Sequence, residues 1–557
     1  MPDPAAWWQK TVVYQVYPRS FKDSTGAGIG DLRGVIDKLD YLVDLGVETI
    51  WLNPFYPSPQ ADHGYDITDF CAVTPEYGTM ADFDELLAGM HDRDLKCVLD
   101  LIINHTSVEH PWFLESAASR DNPKSDWYIW ADGRGPGGRK PPNNWTGISG
   151  TAWQYFPARG QWAYFDMVPT QFELNLRSPA VKVAMFDVMQ FWLDKGVDGF
   201  RSDIFHGSYK DEALRDDAFS WRVLPSDSST ASLFRAHVRE WNLPENFELA
   251  LEVRRLLDEY EPARFFVGEV FGPPETVAKY YGSHNDGLPS TFMFTFTSTQ
   301  FQAEKYAQVL ARIERALPPP NTPSYTLSNH DRMRFISRVN DNPRKAKLAA
   351  TLLLTLRGIA FIYYGEEIGM PNSKFSLRTS QDPVGRKFWW MPISQSKRLG
   401  FSLTRDGART PMQWSPEPNA GFSPDPAAKP WLKISPTFRT VNVATEEGNP
   451  DSLLNCYKRL LAVRKASPAL QEGTFELVPL PRLARAVLAY RRVHPDQEVH
   501  VYLNFSKRPR VVPCPFQDST LANVVFSTNS GTRLGSVGEI CSEIHLAPWE
   551  GLILQGS

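Results

Sequence analysis

Eight short apolar runs alternate with amphipathic stretches over the first 365 residues and predict an α/β protein built on a (β/α)8 TIM barrel. Two further observations complete the architecture. A segment rich in Gly, Pro and Asn separates the third run from the fourth, and after residue 467 short alternating apolar runs replace helical periodicity. They predict an insertion domain after strand three and a C-terminal antiparallel β domain. The boundaries read as 1–105 with 173–467 for the barrel, 106–172 for the insertion and 468–557 for the all-β domain.

Taken in order, the strands are expected at 12–17, 49–52, 98–103, 199–204, 265–269, 291–296, 325–327 and 359–363, all β-branched or aromatic runs. Helical period places helices between them, among them 31–45, 82–93, 180–195 and 344–356. About 95 residues separate strands three and four, and an excursion that long inside a compact domain is usually functional. A second irregular stretch, 370–451, precedes a helix at 452–465, and the tail shows strand patterns at 475–478, 486–490 and 499–503.

The chain has 557 residues, 42% of them apolar and 22% charged, which supplies a core and excludes wholesale disorder. Lys and Arg number 59 against 64 Asp and Glu, a net charge of −5 that is a poor match to nucleic acid or anionic lipid. Neither is expected as a partner. The most apolar stretch, 348–364, is interrupted by Arg357 and falls short of the roughly 18–20 residues a membrane span needs. Cys71, Cys97, Cys456, Cys514 and Cys541 are odd in number and scattered, so neither a zinc site nor a disulfide framework is expected. The first ten residues lack the basic and apolar regions of a secretion signal, and a cytoplasmic monomer or homodimer is expected. Aromatics make up 13% of the chain, with 17 Trp and 20 Tyr, and flat apolar faces with polar edges suit a small oligosaccharide.

In a barrel, functional groups sit where strands end. The polar residues that interrupt apolar runs there are Asn104 and His105 after strand three, Arg201 and Asp203 at strand four, Glu269 after strand five, and Asn329, His330 and Asp331 after strand seven. Strands four and five are neighbours about 4.8 Å apart, so Asp203 and Glu269 can reach the roughly 5–5.5 Å separation that retaining glycoside hydrolysis requires.

These residues resemble the α-amylase superfamily, glycoside hydrolase family thirteen. Asp100-Leu-Ile-Ile-Asn-His105, Gly199-Phe-Arg-Ser-Asp203, Phe266-Val-Gly-Glu269 and Leu327-Ser-Asn-His-Asp331 are similar to its four conserved blocks, in family order. Tyr14-Gln-Val-Tyr-Pro-Arg-Ser-Phe21, His63-Gly-Tyr-Asp-Ile67, Tyr364-Gly-Glu-Glu-Ile368 and Arg409-Thr-Pro-Met-Gln-Trp414 resemble its bacterial exo-acting α-glucosidase and oligo-1,6-glucosidase branch. The resemblance implies Asp203 as nucleophile, Glu269 as general acid/base and Asp331 as transition-state stabiliser. It implies that Arg201 orients Asp203, that His105 and His330 hold sugar hydroxyls, and that Tyr65 stacks on the sugar ring. Asp62 would close the non-reducing end by pairing with an arginine, Arg409 by expectation and Arg405 as its rival.

Three departures qualify the resemblance. The loop Asp23-Ser-Thr-Gly-Ala-Gly-Ile-Gly-Asp31 keeps its end carboxylates but has Thr25 and Ala27 where calcium-binding relatives supply oxygens. Calcium takes 6–8 oxygens; no cofactor is expected, with calcium at Asp23 and Asp31 the one open candidate. Gln171-Phe-Glu-Leu-Asn175 replaces the family's Gln-Pro-Asp-Leu-Asn, and Met167 an aromatic wall. After the nucleophile stand Ile204 and Phe205, matching neither the Val of α-1,6 nor the Ala or Thr of α-1,4 enzymes, so the linkage stays open. The function implied is release of glucose from short α-glucosides. The alternatives are glucosyl transfer or sucrose isomerisation on the same site, for which Arg398-Leu-Gly is a poor stand-in for the isomerase loop, and, remotely, an inactive transporter-associated relative.

Overall fold

A computed structural model describes residues 6–147, 150–222, 231–232, 234–387, 389–390, 404–515, 522–529 and 543–556. Arg398 and Cys541 lie outside the described residues. Eight parallel strands form the barrel: β1 Val12–Val16, β2 Thr49–Leu52, β3 Lys96–Leu101, β4 Gly199–Ser202, β5 Phe265–Gly268, β6 Ser290–Thr291, β7 Ser324–Thr326 and β8 Ile359–Tyr363. Neighbours run β6-β5-β4-β3-β2-β1-β8-β7. The ring closes through a single parallel bridge, Phe292 to Ser324, supported by Met293 N donating to Ser324 O at 2.9 Å.

That closure explains where the sixth strand departs from expectation. The apolar run at 291–296 was expected to be extended throughout, but after Phe292 the chain turns and Phe294–Thr297 is helical. The residues are apolar because they fill space: Phe292 and Phe294 pack inside the barrel with Val13, Trp51, Val98, Phe265, Val267 and Phe361. Trp8, from a short 3-10 turn, joins the same cluster. The expected helix 31–45 is two, Leu32–Ile36 and Leu39–Leu45, the first capped by the Asp31 carboxylate.

Strand side chains alternate with period two. Positions two residues beyond the inward apolar layer therefore also point inward, at the C-terminal mouth. Those positions carry Gln15, Asn53, Asp100, Arg201 and Glu269. The alternate face, with Tyr14, Ile50, Leu99, Phe200, Phe266 and Ile362, packs in the main core.

The excursion after β3 leaves and returns through an antiparallel pair, His105–Ser107 with Gln171–Glu173, and carries a three-stranded sheet of Trp130–Ala131, Gln161–Tyr164 and Trp153–Phe156. A second excursion after β4, which the sequence did not signal, braces it. There Asn143 Nδ2 and Trp145 Nε1 donate to the carbonyls of Leu214 and Arg215 at 3.1 and 3.0 Å. Among the described residues the tail forms a five-stranded antiparallel sheet and a two-stranded one. Among the described residues no helix is long and apolar enough to cross a membrane.

One barrel position has no room for a side chain. A Cβ on Gly199 would lie 2.2 Å from the Phe265 carbonyl oxygen across the β4–β5 ladder. Gly199→Ala should lower the melting temperature by an amount matching at least about 1–3 kcal/mol. Gly448→Ala, with nothing within 4 Å of the added methyl, should leave it nearly unchanged. Paired thermal melts decide it.

Candidate active site

At the mouth of the barrel one guanidinium holds three carboxylates. Arg201 Nη1 donates to Asp100 Oδ1 at 2.8 Å and Asp203 Oδ1 at 2.6 Å, and Nη2 donates to Glu269 Oε2 at 2.6 Å. The ladder dictates this convergence: Arg201 lies directly across from Asp100 in the β3–β4 register. Asp203 N then bonds to Leu101 O and Glu269 N to Ser202 O, extending the pairing past the strand ends. Arg201 is fully buried, and its guanidinium sits 5.1 Å over the Trp51 ring.

Burial pushes the Glu269 carboxyl well above the ordinary range; Arg201 opposes this, and the charges of Asp203 and Asp331 reinforce it. Asp100 is likewise pushed up to about 7, by burial, against the pull of Arg201. Asp331 goes the other way: burial is outweighed by His330, Arg405, Arg409 and Arg201, which hold it well below the carboxylate range.

His330 is oriented from behind. Gln15 Nε2 donates to its Nδ1 at 2.9 Å and to Asn53 Oδ1 at 2.8 Å, so Nδ1 is the acceptor and Nε2 carries the hydrogen. Nε2 faces Asp331 Oδ2 at 3.1 Å and the Tyr65 hydroxyl at 2.8 Å. Tyr65 stacks on His330 with ring centroids 5.2 Å apart, and its hydroxyl donates to Asp100 Oδ2 at 2.9 Å. Burial, with three arginines nearby, drives the His330 pKa far below normal, so the ring is neutral. His105 is buried beside it, Nε2 at 3.2 Å from Tyr65 O and Nδ1 at 3.7 Å from Glu173 Oε1.

The arginine across the far wall is Arg405, and the expected Asp62–Arg409 pair is not formed. Arg405 Nη2 lies 2.5 Å from Asp62 Oδ1, with Nη1 3.2 Å from Asp331 Oδ1. Asp382 anchors it, accepting from the Arg405 backbone N at 2.6 Å and from Nη2 at 3.0 Å. Arg409, four residues on, is wholly buried and spent elsewhere, Nε on His330 O and Nη2 on Asp331 Oδ1, both at 2.9 Å. It therefore sits behind Asp331, where it cannot reach Asp62.

A model of the alpha-amylase catalytic domain matches residues 15–473. The chain belongs to the alpha-amylase family. It is 39% identical over 526 residues to a probable alpha-glucosidase of Rhizobium meliloti (strain 1021), covering 92% of this chain and 91% of that one. It is 35% identical over 581 residues to an oligo-1,6-glucosidase of Parageobacillus thermoglucosidasius, covering 98% of both. Among solved structures, an alpha-glucosyl transfer enzyme superposes with a TM-score of 0.89 at 36% identity over 100% of both chains.

In the loop at 23–31 both end carboxylates are hydrogen-bonded within the loop. Asp23 Oδ1 accepts from Thr25 N, Gly26 N and Thr25 Oγ1, and Oδ2 from Gly28 N, at 2.8–3.2 Å. Asp31 accepts from Ser24 N and caps Gly34 N. Elsewhere among the described residues Asp217, His237 and Glu240 bring ligand atoms within 4.8 Å of one another. However, His237 Nδ1 is bonded to Glu240 and Nε2 to Ser232, which takes both ring nitrogens.

Gln15, Asn53 and Asp100 were not singled out from the sequence, although their period-two placement above the apolar layer is a usable signal. Asp382 has none, lying in an irregular segment.

The raised Glu269 carboxyl implies a stability cost. An acid whose folded pKa exceeds its unfolded value loses stability as pH rises from the unfolded value through the folded one. Glu269→Gln removes that loss. The melting temperature of the variant minus that of the wild type should therefore grow as pH rises above the ordinary carboxylate range. Calorimetry showing a constant or shrinking difference would contradict the raised carboxyl.

Proposed function

We propose that this chain is a retaining, exo-acting α-glucosidase that releases glucose from the non-reducing end of short α-glucosides through a covalent glucosyl-enzyme. The observation that carries the reading is the shared guanidinium: Asp203 and Glu269 are bound to adjacent nitrogens of Arg201. That arrangement favours the about 5–5.5 Å separation of a retaining pair over the about 6.5–9.5 Å of an inverting one. Asp203, held by Arg201, attacks the anomeric carbon. Glu269, kept protonated by burial, gives its proton to the leaving oxygen, then takes one from water in the second displacement. Asp331, kept ionised by its arginines, grips the sugar hydroxyls with His330 and His105, and Tyr65 lies against the sugar.

Arg405 and Asp62 would close the end of the pocket. A sugar inserted between them would strip the largely buried Asp62 carboxylate of its arginine, Arg405 keeping Asp382, at a cost of order 3–5 kcal/mol, which is more than two factors of ten in selectivity at about 1.4 kcal/mol each. Resemblance in sequence and shape to an alpha-glucosyl transfer enzyme supports a second outcome on the same intermediate, in which a sugar or other hydroxyl acceptor replaces water. We place the enzyme in the cytoplasm as a monomer or homodimer; Cys71, Cys97 and Cys456 are free thiols, in keeping with a reducing compartment.

Asp203→Ala and Glu269→Gln should each cut turnover of natural disaccharides by at least about 10³-fold. The wild type should yield single glucose units, α-anomer first, from di- and trisaccharides while leaving starch nearly untouched. Arg405→Ala should lose at least about 100-fold on disaccharides, and Arg409→Ala should not relax the preference for chain ends. β-Glucose as the first product by NMR, or longer sugars from starch, would refute the assignment.

The filled loop at 23–31 leads to an expectation about metal removal. EDTA should change neither activity nor melting temperature, because an ion bound only to the native state would add RT ln(1 + [L]/Kd) of stability. A drop in melting temperature restored by calcium would overturn it.

A further inference from the structure

The residue after the nucleophile has an unusual backbone. Ile204 has φ 40 and ψ 41, the left-handed region, which a β-branched side chain enters only under constraint. The constraint is visible on both sides. Asp203 N is tied to Leu101 O, and Gly207 N bonds back to Ile204 O at 2.9 Å, starting a 3-10 turn over Phe205–Gly207. A Cβ on Gly207 would lie 3.2 Å from Ile204 Cγ2.

What the turn achieves is a contact. The φ of a residue sets the direction of its own N–H, and here that N–H donates to Glu269 Oε2 at 3.2 Å. Oε2 already accepts from Arg201 Nη2. From the same turn His206 Nδ1 reaches the Glu269 carbonyl at 3.3 Å. Two donors occupy Oε2, and a proton placed there would face both.

We propose that the left-handed turn makes the Ile204 N–H a positioning group that fixes Oε1 of Glu269 as the oxygen carrying the transferable proton. The inference rests on Glu269 being the general acid. In the first half-reaction the Oε1–H bond breaks as the proton passes to the glycosidic oxygen. The bond from that oxygen to the anomeric carbon breaks with its electron pair on the oxygen, and Asp203 forms the new bond. In the second half-reaction water gives its proton back to Oε1 as it displaces Asp203. Without the Ile204 donor Arg201 alone would distinguish the two oxygens, and the preference for a proton on Oε1 would weaken.

The test removes one hydrogen. Incorporating the α-hydroxy analogue of isoleucine at position 204 by nonsense suppression turns the N–H into an ester oxygen and keeps the side chain. Cleavage of the better of maltose and isomaltose should fall about tenfold. Cleavage of α-glucosyl fluoride, whose leaving group needs no acid, should fall less than about twofold. The alkaline limb of the disaccharide profile should move up, because ionised Glu269 has lost a donor. Ile204→Gly, which enters the left-handed region freely and keeps its N–H, should retain the wild-type alkaline limb and disaccharide-to-fluoride ratio. Equal loss on both substrates in the ester variant, an unmoved alkaline limb, or a Gly variant that shifts as far as the ester would overturn the proposal. A wild type inactive on every one of these substrates would instead overturn the assignment of Glu269, and the proposal with it.

Discussion

The buried guanidinium of Arg201 is the contact on which the rest of the site depends. Among the described residues it is the one cation that directly bonds Asp100, Asp203 and Glu269. With all three ionised the cluster would carry two uncompensated negative charges away from water, at a cost of several kcal/mol. At least one carboxyl must keep its proton, and donor geometry decides which. Asp100 accepts from Arg201, from Trp51 Nε1 at 3.2 Å and from the Tyr65 hydroxyl, while Glu269 accepts from Arg201 and one backbone amide. Each charge-assisted bond is worth roughly 1.5–3 kcal/mol to the ionised form. The extra donors favour the ionised form of Asp100 more than that of Glu269, which suits the proposed role of Glu269 as the proton donor.

The barrel makes this arrangement cheap to build. Arg201 can be desolvated because the strand register puts a carboxylate opposite it and the same ladder carries Asp203 and Glu269 past the strand ends. Trp51 contributes twice, filling the apolar layer with its ring and donating to Asp100 with its indole N–H. The second tier, Gln15, Asn53 and Tyr65, orients His330 through neutral hydrogen bonds only. A histidine held as an acceptor at Nδ1 and a donor at Nε2 serves an ionised Asp331 without adding charge.

Much of this was legible in the sequence, for a physical reason. Strand ends reveal themselves as polar residues that interrupt apolar runs, and Asp203, Glu269, His330 and Asp331 stood out that way. The β6 region misled because Phe292, Phe294 and Phe296 look like a strand while being selected for volume at the barrel seam. Arg405 and Arg409 could not be told apart, since they lie four residues apart in a stretch without periodicity. Which of them crosses the pocket is settled by Asp382, a tertiary contact with no local signal. The bracing excursion after β4 was missed for the same reason; it supports the insertion through side chains bonded to carbonyls, which leaves no sequence pattern.

Under the proposed assignment, Arg405 also ties the choice of substrate to the chemistry. Its guanidinium touches both Asp62, at the closed end of the pocket, and Asp331 beside the reacting sugar. An incoming chain that displaced it would strip Asp331 of one of two guanidinium partners, leaving only Arg409. Asp331 would then be a weaker stabiliser of the positive charge that develops on the sugar ring. Opening the far wall thus raises the barrier as well as weakening binding. Selectivity for chain ends is in this arrangement a property of the transition state, where discrimination is most effective. Arg409, locked to His330 and Asp331 and fully buried, keeps Asp331 ionised whatever occupies the wall. Two arginines four residues apart therefore divide the work, one on the pocket side and one behind Asp331, and the division follows from which of them Asp382 holds.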